Sequence, residues 1–187
     1  MSKIVQHSSR PEKSEKKNEV STCSDAELSL TPIARADFTA IFALQHDTAG
    51  ARLAGVEGEF VEEEVFNRNM EQNIASDASQ ATVFTIREHG IIAGYIGVFE
   101  GAGGNLQLSY WLHSQFWGRG MGTRALALFL AHLPRQVIER PLYAAVVEEN
   151  EASKRMLKRA GFDAYDSRMF FSAAHKAQKK QILFKKG

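Results

Sequence analysis

The sequence predicts a single α/β (α+β) domain built on a mixed, mostly antiparallel sheet of about six to seven strands flanked by about four helices. Three observations carry that expectation. The 187 residues give one ordinary domain with room for its own core. Three strand-like runs follow one another closely between residues 81 and 112. Stretches with helical spacing lie on both sides of them.

Taken in order, residues 1–25 mix lysine, glutamate and serine with little apolar periodicity, and read as a disordered or loosely attached tail. The domain is expected over 26–187. Leu28 to Ile33 alternates like a strand, and Ala36 to Leu53 reads as one helix with Phe38, Ile41, Phe42 and Leu44 inward. A second helix is expected at about Val61 to Ile74, with Val65, Met70 and Ile74 inward. Residues 81–88, 91–100 and 105–112 form a meander joined by His89-Gly90 and by the run Gly101-Ala102-Gly103-Gly104. A helix over Gly122 to His132 buries Leu126, Phe129, Leu130 and Leu133, and Pro134 ends or kinks it. Strand 142–147, a helix from about Glu151 to Ala160 closed by Gly161, and strands near Phe162–Phe171 and Gln181–Lys185 complete the pattern.

Composition narrows the function. A formal net charge of +1 with 24% charged residues recommends neither nucleic acid nor an anionic membrane as partner. The single cysteine, Cys23, cannot form an internal disulfide, and no Cys/His spacing suits a metal. No apolar run is long enough to span a bilayer, and no secretory signal is evident, so a cytoplasmic protein is expected.

The chemistry concentrates in residues 110–130, "YWLHSQFWGRGMGTRALALFL". Gly118, Gly120 and Gly122 lie between a strand and a helix start, where missing side chains let a ligand approach the main chain and unpaired N–H groups point outward. That suits a phosphate or diphosphate. The helix dipole adds only about 0.3 to 2 kcal/mol, so hydrogen bonds must supply most of the affinity. A P-loop would need Lys then Ser or Thr, and Thr123-Arg124 does not match. A dinucleotide fingerprint is nominally met by Gly120-x-Gly122-x-x-Ala125, with Glu148 ending the next strand, but it follows an antiparallel meander rather than opening a βαβ unit. A plain turn is the remaining alternative.

Tyr110-Trp111-Leu112, the run Phe116 to Thr123, Asn150-x-x-Ser153 and Gly161-Phe162 resemble, in order and spacing, the acetyl-CoA-binding core of the GNAT N-acetyltransferase superfamily. The resemblance is closest to the branch of ribosomal-protein N-terminal alanine acetyltransferases and covers roughly residues 27–187. It implies a GNAT-like sheet and an acetyl-CoA cosubstrate. Of two registers for the superfamily signature, Gln115-x-x-Gly118-x-Gly120 and Trp117-x-x-Gly120-x-Gly122, the second places its glycines at the helix start.

The implied roles follow. The amides of Gly118, Arg119, Gly120, Met121, Gly122 and Thr123, with Trp117, would bind the diphosphate. Tyr110, Trp111 and Leu112 would pair with the pantetheine arm, in a gap that a bulge opens between neighbouring strands. An amide near Leu112 would stabilise the oxyanion. Asn150 would bind pantetheine or simply cap a helix. The family's tyrosine position holds Leu157 and its strand glutamate position holds Gln107, so Ser153 is the expected substitute near the sulfur. Glu148, with Glu149 and His113 behind it, is the candidate base.

The acceptor amine decides how much help is needed. At pH 7 an α-amino group is neutral about once in seven and a lysine about once in 2,500, a handicap of roughly 4.6 kcal/mol for the lysine. The acidic run at 57–65 and His46 border the expected acceptor cleft without naming the acceptor. The expectation is an N-acetyltransferase, monomeric or homodimeric, acting without metal on a primary amine. The alternatives are a catalytically silent CoA-binding module and a dinucleotide-binding oxidoreductase.

Overall fold

The computed structural model describes residues 23–24, 27–55, 62–72, 74, 82–172 and 176–187. Its elements are β1 (Cys23–Ser24), β2 (Leu28–Pro32), α1 (Phe38–Gln45), α2 (Thr48–Ala54), α3 (Glu63–Glu71), β3 (Val83–Glu88), β4 (Ile91–Glu100), β5 (Leu106–Leu112), α4 (Met121–His132), α5 (Arg135–Ile138), β6 (Leu142–Val147), α6 (Glu151–Arg159), β7 (Asp163–Ser172) and β8 (Ala177–Lys186). Eight strands form one sheet in the order β1-β2-β3-β4-β5-β6-β8-β7. Every neighbouring pair is antiparallel except β5 and β6.

This is the mixed, mostly antiparallel sheet the sequence predicts, with more pieces than counted there. The extra strand is Cys23–Ser24, which pairs with Ser29–Leu30. The rest of the segment read as a tail, residues 1–22 and 25, lies outside the described residues. The helix expected across Ala36–Leu53 is two, because Asp47 has extended backbone and its side chain accepts from the Ala49 amide, starting α2 afresh. Past the kink at Pro134 the chain makes a further turn of helix, α5. The final strands are ten residues each: β7 has the expected length, and β8 begins four residues before the expected Gln181.

Two apolar layers cover the sheet. On one face α4 and α6 bury Leu126, Phe129 and Leu157 against Ile96, Leu108 and Phe184, with Phe84 and Phe129 edge to face. On the other, α1 and α3 bury Phe38, Ile41, Phe66 and Met70 against Val83. Each such side chain contributes about 1.5–3 kcal/mol on leaving water. The helix around α3 presents Phe66 inward rather than the expected Val65, which is exposed. Beneath α1, buried Asp37 accepts from Thr85 Oγ1 at 2.7 Å and pairs with Arg87 Nη2 at 2.5 Å, tying the β2–α1 connection to β3. One glycine is sterically required where the site begins: a Cβ on Gly94 would lie 1.9 Å from the Trp111 carbonyl oxygen. Its absence lets β4 support the end of β5 closely.

Candidate functional site

Parallel pairing between β5 and β6 exists only at Leu106↔Leu142 and Gln107↔Tyr143. Beyond those pairs β5 runs on to Leu112 and β6 to Val147 with no ladder between them, so the sheet opens like a wedge. The expected cause, a bulge in β5, is not what opens it. The β4–β5 register is unbroken from Glu100↔Leu106 to Gly94↔Leu112. The strands part because β6 follows β8, with which it pairs along its whole length, while β5 follows β4.

The alternation of an antiparallel ladder then fixes where the free main-chain groups of β5 point. His113 N–H donates to the Ala93 carbonyl at 3.0 Å, so the preceding pair, Gly94 and Leu112, is the non-hydrogen-bonded kind. The Leu112 amide and carbonyl therefore face away from β4, into the wedge, and those of Tyr110 do the same. Trp117 Nε1 takes the Leu112 carbonyl at 2.8 Å, which leaves the Leu112 N–H as a donor toward the opening.

The glycine loop closes one end of the wedge. Gly118 and Gly120 have φ of 78° and 73°, a region that side chains disfavour, and nothing lies within 4 Å of where their Cβ atoms would be. Gly120 is the N-cap of α4, which starts at Met121, one residue earlier than expected. No side chain caps that end, so the first amides of the helix stand open above the two bare glycines. Gly122 sits within the first turn, and a Cβ there would meet Met156 Sδ at 3.2 Å. Its lack of a side chain thus serves close packing of α4 on α6.

Together these features line a cleft of about 500 Å³. It gathers Tyr110, Trp111 and Leu112 from β5, Trp117, Gly118 and Gly120 from the loop, Met121, Gly122 and Thr123 from α4, and Asn150 and Ser153 from α6. Of the residues expected to hold the cosubstrate, Arg119 alone is not in the lining. Its guanidinium turns out to Glu88, with Nη2 3.0 Å from Oε2, and lies over the Phe116 ring, so only its main chain belongs to the loop.

The expected chemical groups fare unevenly. Asn150 Oδ1 accepts from the Ser153 amide at 3.1 Å, the capping role, and its NH2 remains to donate elsewhere. Ser153 lines the cleft beside Tyr110. Burial pushes the Tyr110 phenol up to about 12, with the Ser153 hydroxyl offsetting part of the rise, so Tyr110 keeps its proton at any physiological pH. Leu157 is fully buried in the core. Gln107 sits at the closed end of the wedge.

Glu148 is not in the cleft: it pairs with Lys180 Nζ at 2.9 Å because its main chain is laddered to β8 there. Glu149 pairs with Lys179 in the same way. His113 Nδ1 accepts from the Gln115 amide at 3.2 Å, capping a short turn, and is likewise outside the lining. His46 packs edge-on to Phe42 and is exposed. Residues 57–61 of the acidic run lie outside the described residues, and Glu63 and Glu64 occupy the first turn of α3.

Sequence reasoning set the region between the first strand and Ala81 along the acceptor cleft but named none of the residues that roof it. Gly50, Leu53 and Ala54 of α2 lie over it. What holds α2 there is Asp47: Oδ2 accepts from the Ser114 amide at 2.6 Å and Oδ1 from the Ser114 hydroxyl at 3.0 Å, while Trp111 Nε1 donates to the Leu44 carbonyl at 3.1 Å. Burial raises the Asp47 carboxyl, but the Ser114 donors, nearby His113 and the Gly50 amide outweigh it and hold the group below its ordinary value. Arg155 and Arg159 of α6, four apart and so on one helix face, were also missed; among the described residues they give the cleft its only positive side chains. Among the described residues that line it, none is a carboxylate. Among the described residues there is no cluster of three or more metal-ligating side chains, and no helix long and apolar enough to cross a membrane.

Solved structures share this architecture at low identity. The yncA protein of Salmonella typhimurium, solved with its cofactor acetyl-CoA, has a TM-score of 0.70 at 17% identity, covering 86% of this chain and 93% of that one. A GNAT-family acetyltransferase from Bacillus anthracis has a TM-score of 0.68 at 13% identity over 89% and 98%. RimL, the ribosomal L7/L12 alpha-N-protein acetyltransferase, in complex with coenzyme A, has a TM-score of 0.69 at 15% identity over 89% and 97%. No curated protein matches the sequence. The profile of the acetyltransferase (GNAT) domain matches residues 27–163, most of the chain and the whole of the wedge, its glycine loop and α6. The chain belongs to the GNAT acetyltransferase family.

Proposed function

We propose that this protein is an acetyl-CoA-dependent N-acetyltransferase that moves an acetyl group to a primary amine, of a protein N-terminus or a small molecule, by direct attack in a ternary complex. The observation that carries the reading is the wedge itself. Main-chain donors of β5 face into it, two open glycines and the start of α4 lie at one end, and two arginines stand on its wall. A diphosphate fits the amides from Gly118 to Thr123. The pantetheine arm adds to β5 as a strand would, and its amide groups find Tyr110, Leu112 and the Asn150 side chain. The thioester then lies near the Leu112 N–H, which stabilises the oxyanion as the amine attacks, and near Ser153, which meets the departing sulfur.

The absence of a carboxylate from the described lining favours an acceptor whose amine is already partly neutral, a protein N-terminus or a weakly basic small amine. No metal takes part in this scheme, and the proposed setting is the reducing cytoplasm. The test is thiol release from acetyl-CoA across a panel of peptides and small amines, with free CoA binding measured in parallel. Turnover of at least one α-amine supports the proposal. CoA binding with no turnover on any amine favours a silent binding module, and no CoA binding refutes the reading of the cleft.

A further inference from the structure

We propose that Ser172 is a positioning residue for the acceptor amine: its hydroxyl pins the C-terminal end of α2 to one half of the parted sheet, so that α2 spans the open end of the wedge as a fixed roof. This rests on the reading of the cleft as an acetyl-transfer site. The ladder between the β1–β5 half and the β6–β8 half is confined to Leu106↔Leu142 and Gln107↔Tyr143. Beyond those pairs, α2 is tied to both halves. Its N-terminal end belongs to β5: the Asp47 carboxylate takes both the amide and the hydroxyl of Ser114, and a Cβ on Gly50 would stand 3.0 Å from Trp111 Cζ2. Its C-terminal end belongs to the other half. Ser172 Oγ donates to the Gly55 carbonyl at 2.9 Å, and a Cβ on Gly55 would stand 2.9 Å from Phe170 Cζ and 3.2 Å from Val147 Cγ2. The seven residues of α2 reach about 10 Å, about two strand spacings, which is what crossing the place of one missing strand requires.

The chemistry of the C-terminal tie is specific. A helix leaves the carbonyls of its last turn without partners of its own, and Gly55, at φ 75°, turns the chain left-handed where α2 ends. The bare glycine lets β7 come close, and the fully buried Ser172 hydroxyl meets the Gly55 carbonyl away from water, where a hydrogen bond is stronger. Neither Ser172 nor Asp47 lines the cleft, whereas Gly50, Leu53 and Ala54 of α2 do. The two ties therefore act on the acceptor through the roof, whose apolar inner residues they hold above Tyr110 to Leu112. Releasing either end leaves α2 attached to one half of the sheet alone.

The test compares wild type with Ser172→Ala, Asp47→Ala and the double variant, with a peptide α-amine as acceptor and CoA affinity measured in parallel. Ser172→Ala should raise KM for the peptide about tenfold, the ratio expected of one lost buried hydrogen bond, while kcat and CoA affinity stay within about threefold of wild type. One released end already frees the roof, so the double variant should raise KM little beyond the more damaging single change. A Ser172→Ala protein with a lower Tm and an unchanged KM for the peptide, or one whose CoA affinity falls as far as KM rises, would show the bond to be a brace and overturn the proposal. Two effects on KM that multiply to about a hundredfold in the double variant would overturn it too, because independent sites add in free energy. A wild-type protein that binds CoA and acetylates no amine would instead overturn the function on which the proposal rests, and one that takes up no CoA would overturn the reading of the cleft.

Discussion

Gly120 does two jobs with one missing carbon. Its φ of 73° bends the chain into the start of α4, and the open space beside it exposes the amides that follow. A Gly120→Val variant should lose about 1–2 kcal/mol from the left-handed backbone alone, since its side chain meets no neighbour. CoA affinity should fall at least tenfold, because the amides no longer share one direction; calorimetric titration beside a thermal melt separates the two effects. Gly122→Val should act otherwise, by pushing Met156 and with it α6, so adding Met156→Ala should recover much of the lost binding. The sequence announces this loop openly, because glycines between a strand and a helix are a local signal. The side chain of Arg119 is not legible that way: it is decided by Glu88, which lies 31 residues earlier in the chain. Glu148 is misread for the same reason, its partner Lys180 being 32 residues away.

At the scale of elements, the least local feature is the roof. The spacing of apolar residues carries straight through from α1 into α2, and only the Asp47 carboxylate, reaching Ser114 across 67 positions, reveals two helices fixed to the end of β5. Asp47→Ala should cost about 1 kcal/mol for the lost N-cap, and somewhat more for the Ser114 bonds. It should also raise KM for the acceptor, since α2 lies over the cleft. Its folded pKa is depressed, so the stabilisation is present above the unfolded carboxylate value near 4 and is lost as pH falls through the lower, folded value. Urea melts of wild type and Asp47→Ala should therefore differ at pH 7 and converge progressively below about pH 4. The parting of β5 from β6 was legible only through family likeness; its mechanism, two strands loyal to different neighbours, depends on the pairing of β6 with β8 and could not be read from letters.

For the whole molecule, the sheet brings a main-chain donor, two arginines and the Ser153 hydroxyl to one cleft whose described lining holds no carboxylate. That distribution predicts the pH dependence. With no base in the described lining, kcat/KM toward a peptide α-amine should rise with pH and level near the amine's own pKa of about 7.8, whereas a lysine side chain should keep rising toward about 10.4. At pH 7 the fraction of neutral amine alone favours the α-amine about 300-fold. Stopped assays on a matched peptide pair check this; lysine turnover that is flat near neutral pH would require a base that the described lining does not contain. Fold class was readable at this scale because periodicity sums over many residues and tolerates local errors such as Val65 for Phe66.

The central claim is that exposed main-chain amides from Gly118 to Thr123 grip the diphosphate of CoA, and amide hydrogen exchange of the intact chain tests it most directly. Saturating CoA should slow exchange at residues 118–123 and at Leu112 well beyond any change elsewhere in the sheet. Bound CoA with exchange in that loop unaltered would contradict the account.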